Sequence, residues 1–293
     1  MKKVIFRLCR ILFTVLFVLT AAVPAAADDT VSDWDLIMKA ANEENISKEA
    51  EMYSASLLYR LKENDGVLSD RKYTEYSRAV LTLSVLDMDP SNIGGYDLLS
   101  RLEERENVKK QGINGPIWAL IALDSGNFRS YSRTAYVKEI LDKELPDGGW
   151  NMEGTGAADP DVTAMALQAL GAYLRYGQVK QAVERGIEIL SQMQNSSGGY
   201  SSCGTENAES VSQVIIALCE LGVSVTDRRF VKNGHTMEDN LKGFRLSDGT
   251  FMHTKQAGEA DALATEQGML ALTEIRRQEA GKPPVYRMKQ GNE

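Results

Sequence analysis

Histidine and cysteine are nearly missing from this chain, with two and three residues in 293. A zinc site needs several converging nitrogen, sulfur or oxygen ligands, and both histidines, His235 and His253, lie in loop-like stretches. Neither a metal site nor a cofactor is expected. Three cysteines cannot form a disulfide framework. Cys203 lies in a loop and Cys219 about twelve residues into the next helix, roughly 18 Å along it at 1.5 Å per residue. A bridge needs Cα atoms within about 7 Å, so the expectation is a buried Cys219 and a free Cys203. β-rich stretches are also lacking, which leaves an all-α fold class.

The one long hydrophobic run is amino-terminal. Lys2, Lys3, Arg7 and Arg10 form a basic region, Ile11–Val23 an apolar one, and Ala25-Ala26-Ala27 a small-residue cleavage site. This is the pattern of a secretory signal peptide over residues 1–27, and the run is too short and too abruptly ended for a transmembrane anchor. Cys9 precedes the apolar region and is not placed as a lipobox cysteine. The mature chain is expected to start at Asp28, with 266 of the 293 residues, and to be secreted or extracytoplasmic. Without the four basic residues it carries 29 Lys+Arg against 41 Asp+Glu, a net charge of −12. Such a surface repels phosphate backbones and anionic lipid, which excludes nucleic acid as a partner.

A short phrase recurs. Asp147-Gly148-Gly149-Trp150 precedes the apolar stretch Asp161–Tyr173, and Ser197-Gly198-Gly199-Tyr200 precedes Val211–Leu221. A looser copy, Asp248-Gly249-Thr250-Phe251, precedes Ala262–Ile275. A period of roughly 40–50 residues marks a repetitive helical array. Two kinds of helix alternate. Thr163–Tyr173 is apolar nearly all round, as for a helix packed on every side. Gln178–Met193 instead carries Val179, Ala182, Val183, Gly186, Leu190 and Met193 on one face, the stripe of an outer helix.

Six stretches read as inner helices: Asp33–Ala41, Thr74–Leu86, Gly115–Leu123, Asp161–Tyr173, Ala208–Leu221 and Asp261–Arg276. Outer partners are expected at Lys48–Lys62, Gly95–Arg105, Ser132–Leu145, Gln178–Met193 and, weakly, Thr236–Phe244, with a sixth left open. Six inner and about six outer helices make an α/α6 toroid over residues 28–280, closed so that no repeat exposes its apolar face. Residues 281–293 read as a polar tail.

The Gly-Gly-aromatic turns, with Asp159-Pro160-Asp161-Val162-Thr163-Ala164 opening an inner helix, resemble the prenyltransferase/squalene-cyclase repeat superfamily. The stretches Thr74-Glu75-Tyr76-Ser77-Arg78, Gly112-Ile113-Asn114-Gly115-Pro116-Ile117-Trp118-Ala119-Leu120 and Ala264-Thr265-Glu266-Gln267-Gly268 are similar to exported bacterial repeat proteins. In plan those resemble the α-domain of the transcobalamin and intrinsic-factor group, whose partner is a β-domain. The resemblance implies a six-fold α/α toroid, and a separate β-domain protein as a partner for this chain. The superfamily includes both enzymes and non-enzymatic binders, so fold alone does not give an activity.

Class II terpene cyclases hold their acid in Asp-x-Asp-Asp-Thr-Ala. Asp159, Asp161, Thr163 and Ala164 match, whereas position 162 is valine. By that resemblance the general acid would be Asp161, supported by Asp159. The same residues are good caps: Asp at N-cap, Pro at the first helical position and a carboxylate in the first turn. The zinc motif of protein prenyltransferases requires Asp-x-Cys, which does not occur. Ser202-Cys203-Gly204-Thr205-Glu206 is similar to the thioester sequence of complement-type domains, but Glu206 stands where the bond needs glutamine.

If the inner helices run parallel, their amino-terminal ends gather at one rim. That rim is expected to collect the aromatics Tyr76, Trp118, Trp150 and Tyr200 with the polar residues Asp161, Glu209, Gln213 and Glu266. Aromatics beside converging polar groups make a ligand pocket. Arg78 is the expected partner of Glu266, since a buried polar group needs one. The reading is an exported, non-catalytic toroid that binds a small molecule, peptide or glycan. The alternatives are a cyclase-like enzyme using Asp161 and an interaction scaffold on the cell envelope.

Overall fold

The computed structural model describes residues 32–291. The segment read as a signal peptide and the expected mature start at Asp28 lie outside them. The six inner helices are α1 (Asp33–Ala41), α3 (Thr74–Val85), α6 (Asn114–Ser125), α8 (Pro160–Leu170), α10 (Ala208–Glu220) and α12 (Ala262–Glu279). Outer helices alternate with them: α2 (Ser47–Glu63), the short pair α4 (Leu98–Leu102) and α5 (Arg105–Val108), α7 (Arg133–Leu141), α9 (Gly177–Met193) and α11 (Met237–Lys242). Each inner helix packs on the next, and α12 packs back on α1, closing the ring. The architecture is an α/α toroid.

Composition sorts the two layers. Every residue of α6, α8 and α10 is buried, because these helices meet the axis on one side and the outer layer on the other. Helix α9 buries only one face, Val179, Ala182, Val183, Gly186, Ile187, Leu190 and Ser191. Among the described residues the only sheet is the pair Ser201–Ser202 and Thr205–Glu206. No described helix is long and apolar enough to cross a membrane.

The recurring phrase is one hydrogen-bonded unit used three times. Gly148 N–H donates to Leu145 C=O, and Leu145 N–H to Gly149 C=O. Asn195, Gly198 and Gly199 repeat the pattern, as do Leu246, Gly249 and Thr250. The middle glycine has φ of +92°, +83° and +94° in the three copies, a region that favours glycine. At Gly199 a Cβ would lie 2.7 Å from the Asn240 side chain. Each turn then ties its aromatic residue to the following N-cap: Asp159, Asn207 and Asp261 donate N–H to the carbonyls of Trp150, Tyr200 and Phe251.

Three expectations are corrected. Of the stretch read as a polar tail, the described residues 281–291 are not simply a tail: after the turn at Gly281 the chain runs back to the ring and forms a 3-10 segment, Val285–Gly291, with Val285 and Tyr286 buried. Among the described residues this segment follows α12 in place of a sixth outer helix, and its apolar pair is too short to carry a period. Cys203 is disulfide-bonded rather than free. Its loop is exposed, so its sulfur is within reach of partners other than Cys219. Cys219 is free and buried, and burial pushes its thiol up. Arg78 pairs with Asp33 (Nε to Oδ2, 2.7 Å), and Glu266 accepts from Ser32 Oγ at 3.1 Å. Asp33 also accepts from Tyr53 and Thr82, so it outcompetes Glu266 for the guanidinium at the ring closure.

Candidate functional site

The inner helices share one direction, so their N-caps form a rim. At α8 the cap is Asp159, whose Oδ1 accepts from the N–H groups of Asp161 (3.0 Å) and Val162 (3.1 Å). Asn207 caps α10 by accepting from Ser210 N–H, and Asp261 caps α12 by accepting from Ala264 N–H. These side chains consume donors that a helix start leaves open.

Two residues past the cap, α8 carries Asp161 and α10 carries Glu209. Two residues past the turn aromatic, the following repeat presents Ser202 after Tyr200 and His253 after Phe251. The carboxylate of one repeat therefore faces the next repeat's loop. In the α10 copy the match is complete: His253 Nδ1 lies 2.8 and 2.9 Å from the two oxygens of Glu209, which is 2% exposed. In the α8 copy it is not. Ser202 Oγ donates to Asp159 Oδ2 at 2.8 Å, and Asp161, 3% exposed, meets no imidazole or cation, only the hydroxyls of Ser202 and Ser210. The buried Ser210 hydroxyl faces the Asp161 carboxyl and is positioned to donate to it.

Burial drives the Asp161 carboxyl well above the ordinary carboxylate range, and the neighbouring Asp159 charge adds to the rise. Burial also raises Asp159, against the N–H groups and the Ser202 hydroxyl that favour its charge. The outcome is an acid, Asp161, that holds its proton more tightly than an ordinary carboxyl. A neutral carboxyl offers one O–H donor and one C=O acceptor, and it can also deliver a proton.

Of the expected site residues, Asp159, Asp161 and Glu209 come together here. The others have structural partners. Trp150 Nε1 donates to Ile140 C=O at 2.7 Å, and Tyr200 OH to Leu190 C=O at 3.0 Å; both rings are wholly buried against the outer layer. Tyr76 OH accepts from Leu68 N–H at 2.9 Å. Gln213 Oε1 accepts from Gln168 Nε2 at 3.0 Å, linking α8 to α10. Burial raises the Glu266 carboxyl at the ring closure. Trp118 stands edge-on to Trp34, with centroids 5.8 Å apart, in the axis. Ser202, Ser210 and His253 belong to the cluster but were not singled out as site residues. Their signal was the repeat register, which aligns 161 with 209 and 202 with 253.

Among the described residues no group of three or more His, Cys, Asp and Glu could hold a metal ion. The two principal pockets are open surface cavities, one on the turn at 242–249 and one at the opposite end of the ring; neither contains Asp161.

No protein-family model and no curated protein matches this sequence. Among solved structures the chain is similar to Candida albicans protein geranylgeranyltransferase-I, determined in complex with GGPP. The TM-score is 0.60 at 10% identity, over 97% of this chain and 95% of that chain. The likeness is one of fold, and places this chain among the α/α toroids.

Proposed function

We propose that this protein is an exported, non-catalytic toroid that binds a ligand at its amino-terminal rim through Asp161. One observation carries the reading: of two equivalent carboxyls, Glu209 is paired with an imidazole by the next repeat, whereas Asp161 meets only the hydroxyls of Ser202 and Ser210. A buried carboxyl without a charged partner is costly, and two hydroxyls leave room for a further polar contact. An amide- or hydroxyl-bearing small molecule, peptide or glycan offers the paired acceptor and donor that a neutral carboxyl requires. A transcobalamin-like plan, with a separate β-domain protein completing the site, is compatible with a ligand held at the rim.

The raised Asp161 carboxyl favours one second reading, a cyclase-like enzyme protonating its substrate from this residue. That chemistry needs a deep apolar cavity beside the acid, and the axis is filled by Trp34, Trp118 and Tyr286 packed on one another. Native mass spectrometry of the protein purified from its host tests both. A bound mass present in the wild type, kept in Asp161→Asn and lost in Asp161→Leu, is the expected result. An apo mass throughout removes a tightly held ligand. Turnover of a polyprenyl substrate abolished by Asp161→Asn replaces the binding reading with the enzymatic one.

A further inference from the structure

The opposite end of the ring is also built around buried acids. All six inner helices end there, so the mouth collects the negative ends of their dipoles. Asp87, Asp124, Glu220 and Glu274 add carboxylates. Glu220 is 2% and Glu274 1% exposed. Acids this deep are costly unless paired; an all-apolar plug would close the ring without them.

The chain's carboxyl-terminal segment supplies the pairing. Val285 N–H donates to Glu274 Oε1 at 2.9 Å, and Tyr286 N–H to Glu220 Oε1 at 3.0 Å. Arg287 Nε donates to Glu220 Oε2 at 2.9 Å, and its Nη2 donates to the Glu220 carbonyl. Lys289 pairs with Asp87 at 2.6 Å, and Lys282 with Glu43. The Tyr286 ring lies 6.4 Å from Trp34 and 6.0 Å from Trp118. The two buried acids share a hydrogen bond, and a cavity of about 520 Å3 runs beside Pro283, Pro284 and Arg287.

Carboxylates taking successive backbone N–H groups, an aromatic pair holding a tyrosine and an acid holding an arginine are together the recognition chemistry of an extended basic peptide. We propose that the carboxyl-terminal mouth is a peptide-binding site for segments of the type Pro-Val-Tyr-Arg, and that residues 284–287 are its resident, displaceable occupant. The site is separate from the rim and does not depend on the reading of Asp161.

The test uses the full chain and a fluorescein-labelled peptide of residues 282–290. The Tyr286→Ala/Arg287→Ala variant, its seat vacated, should bind the peptide at least about tenfold more tightly than the wild type. In the wild type, native-state hydrogen exchange should show the Val285 and Tyr286 amides opening at least about tenfold faster than those of Val214–Leu218 in α10. A folded variant that ignores the peptide overturns the proposal. So does a variant that loses its helical circular dichroism, or 285 and 286 amides that exchange together with α10, because a seat that cannot be vacated is not a site.

Discussion

At the amino-terminal rim the open helix ends are met from close by in sequence, whereas at the carboxyl-terminal mouth the partners come from far away. Asp159, Asn207 and Asp261 each accept from N–H groups two or three residues on. Glu220 is met by Tyr286 and Arg287, 66 and 67 residues later. Parallel helices give the ring a positive and a negative end. Short acidic and amide side chains serve the first locally, but carbonyls and buried carboxylates at the second need donors, and the chain returns a basic segment to supply them.

The sharpest way to break this comparison is to remove the anchor of the mouth. Glu220→Ala removes the carboxylate that Arg287 Nε and the Tyr286 N–H donate to, and should lower stability by about 3–5 kcal/mol, read from urea midpoints. A cost below about 1 kcal/mol would mean that the segment adds nothing to the fold. A core change at the rim should be of similar size: Trp150→Ala empties a fully buried site, with an expected loss of about 3–5 kcal/mol by the same measurement.

Smaller effects sharpen the contrast. Asn207→Ala removes one N-cap acceptor, and should cost about 1 kcal/mol without altering exchange at residues 285 and 286. Equal exchange changes at both ends would show that the ends are one unit. Tyr200→Phe deletes only the hydroxyl donated to Leu190, and should also cost about 1 kcal/mol.

The smallest effect is a pH slope. Asp161 holds its proton in the folded protein at pH values where the unfolded chain has lost it, so its contribution to stability falls as pH rises above the ordinary carboxylate range. Asp161→Asn should therefore gain stability relative to the wild type between about pH 4 and pH 7. A difference that stays flat across urea midpoints in this interval would mean that Asp161 ionises as readily folded as unfolded.

The six inner helices were legible because heavy burial, complete in α6, α8 and α10, leaves a largely apolar record, and their observed ends lie close to the expected ones. The outer layer was legible wherever one face is apolar over several turns, as in α9. It was less so at 95–105, where two short helices replace one. Trp150 and Tyr200 were legible as special and misjudged in direction. An aromatic after Gly-Gly looks like a pocket wall, but both rings turn outward to satisfy carbonyls of the outer helices. Tyr286 was missed because two buried residues after Pro-Pro have no periodicity to betray them.

Repeat period, capping residues and apolar content determined the ring, its helix direction and the rim, since each acts between residues within a few turns of one another. Whether a carboxyl at the repeated position is paired was decided by tertiary structure. Glu209 meets a histidine 44 residues on, while Asp161 faces a serine already engaged by Asp159. Tertiary structure also decided that the last segment returns to the mouth, because only a closed ring brings Trp34, Trp118, Glu220 and Glu274 around one tyrosine and one arginine.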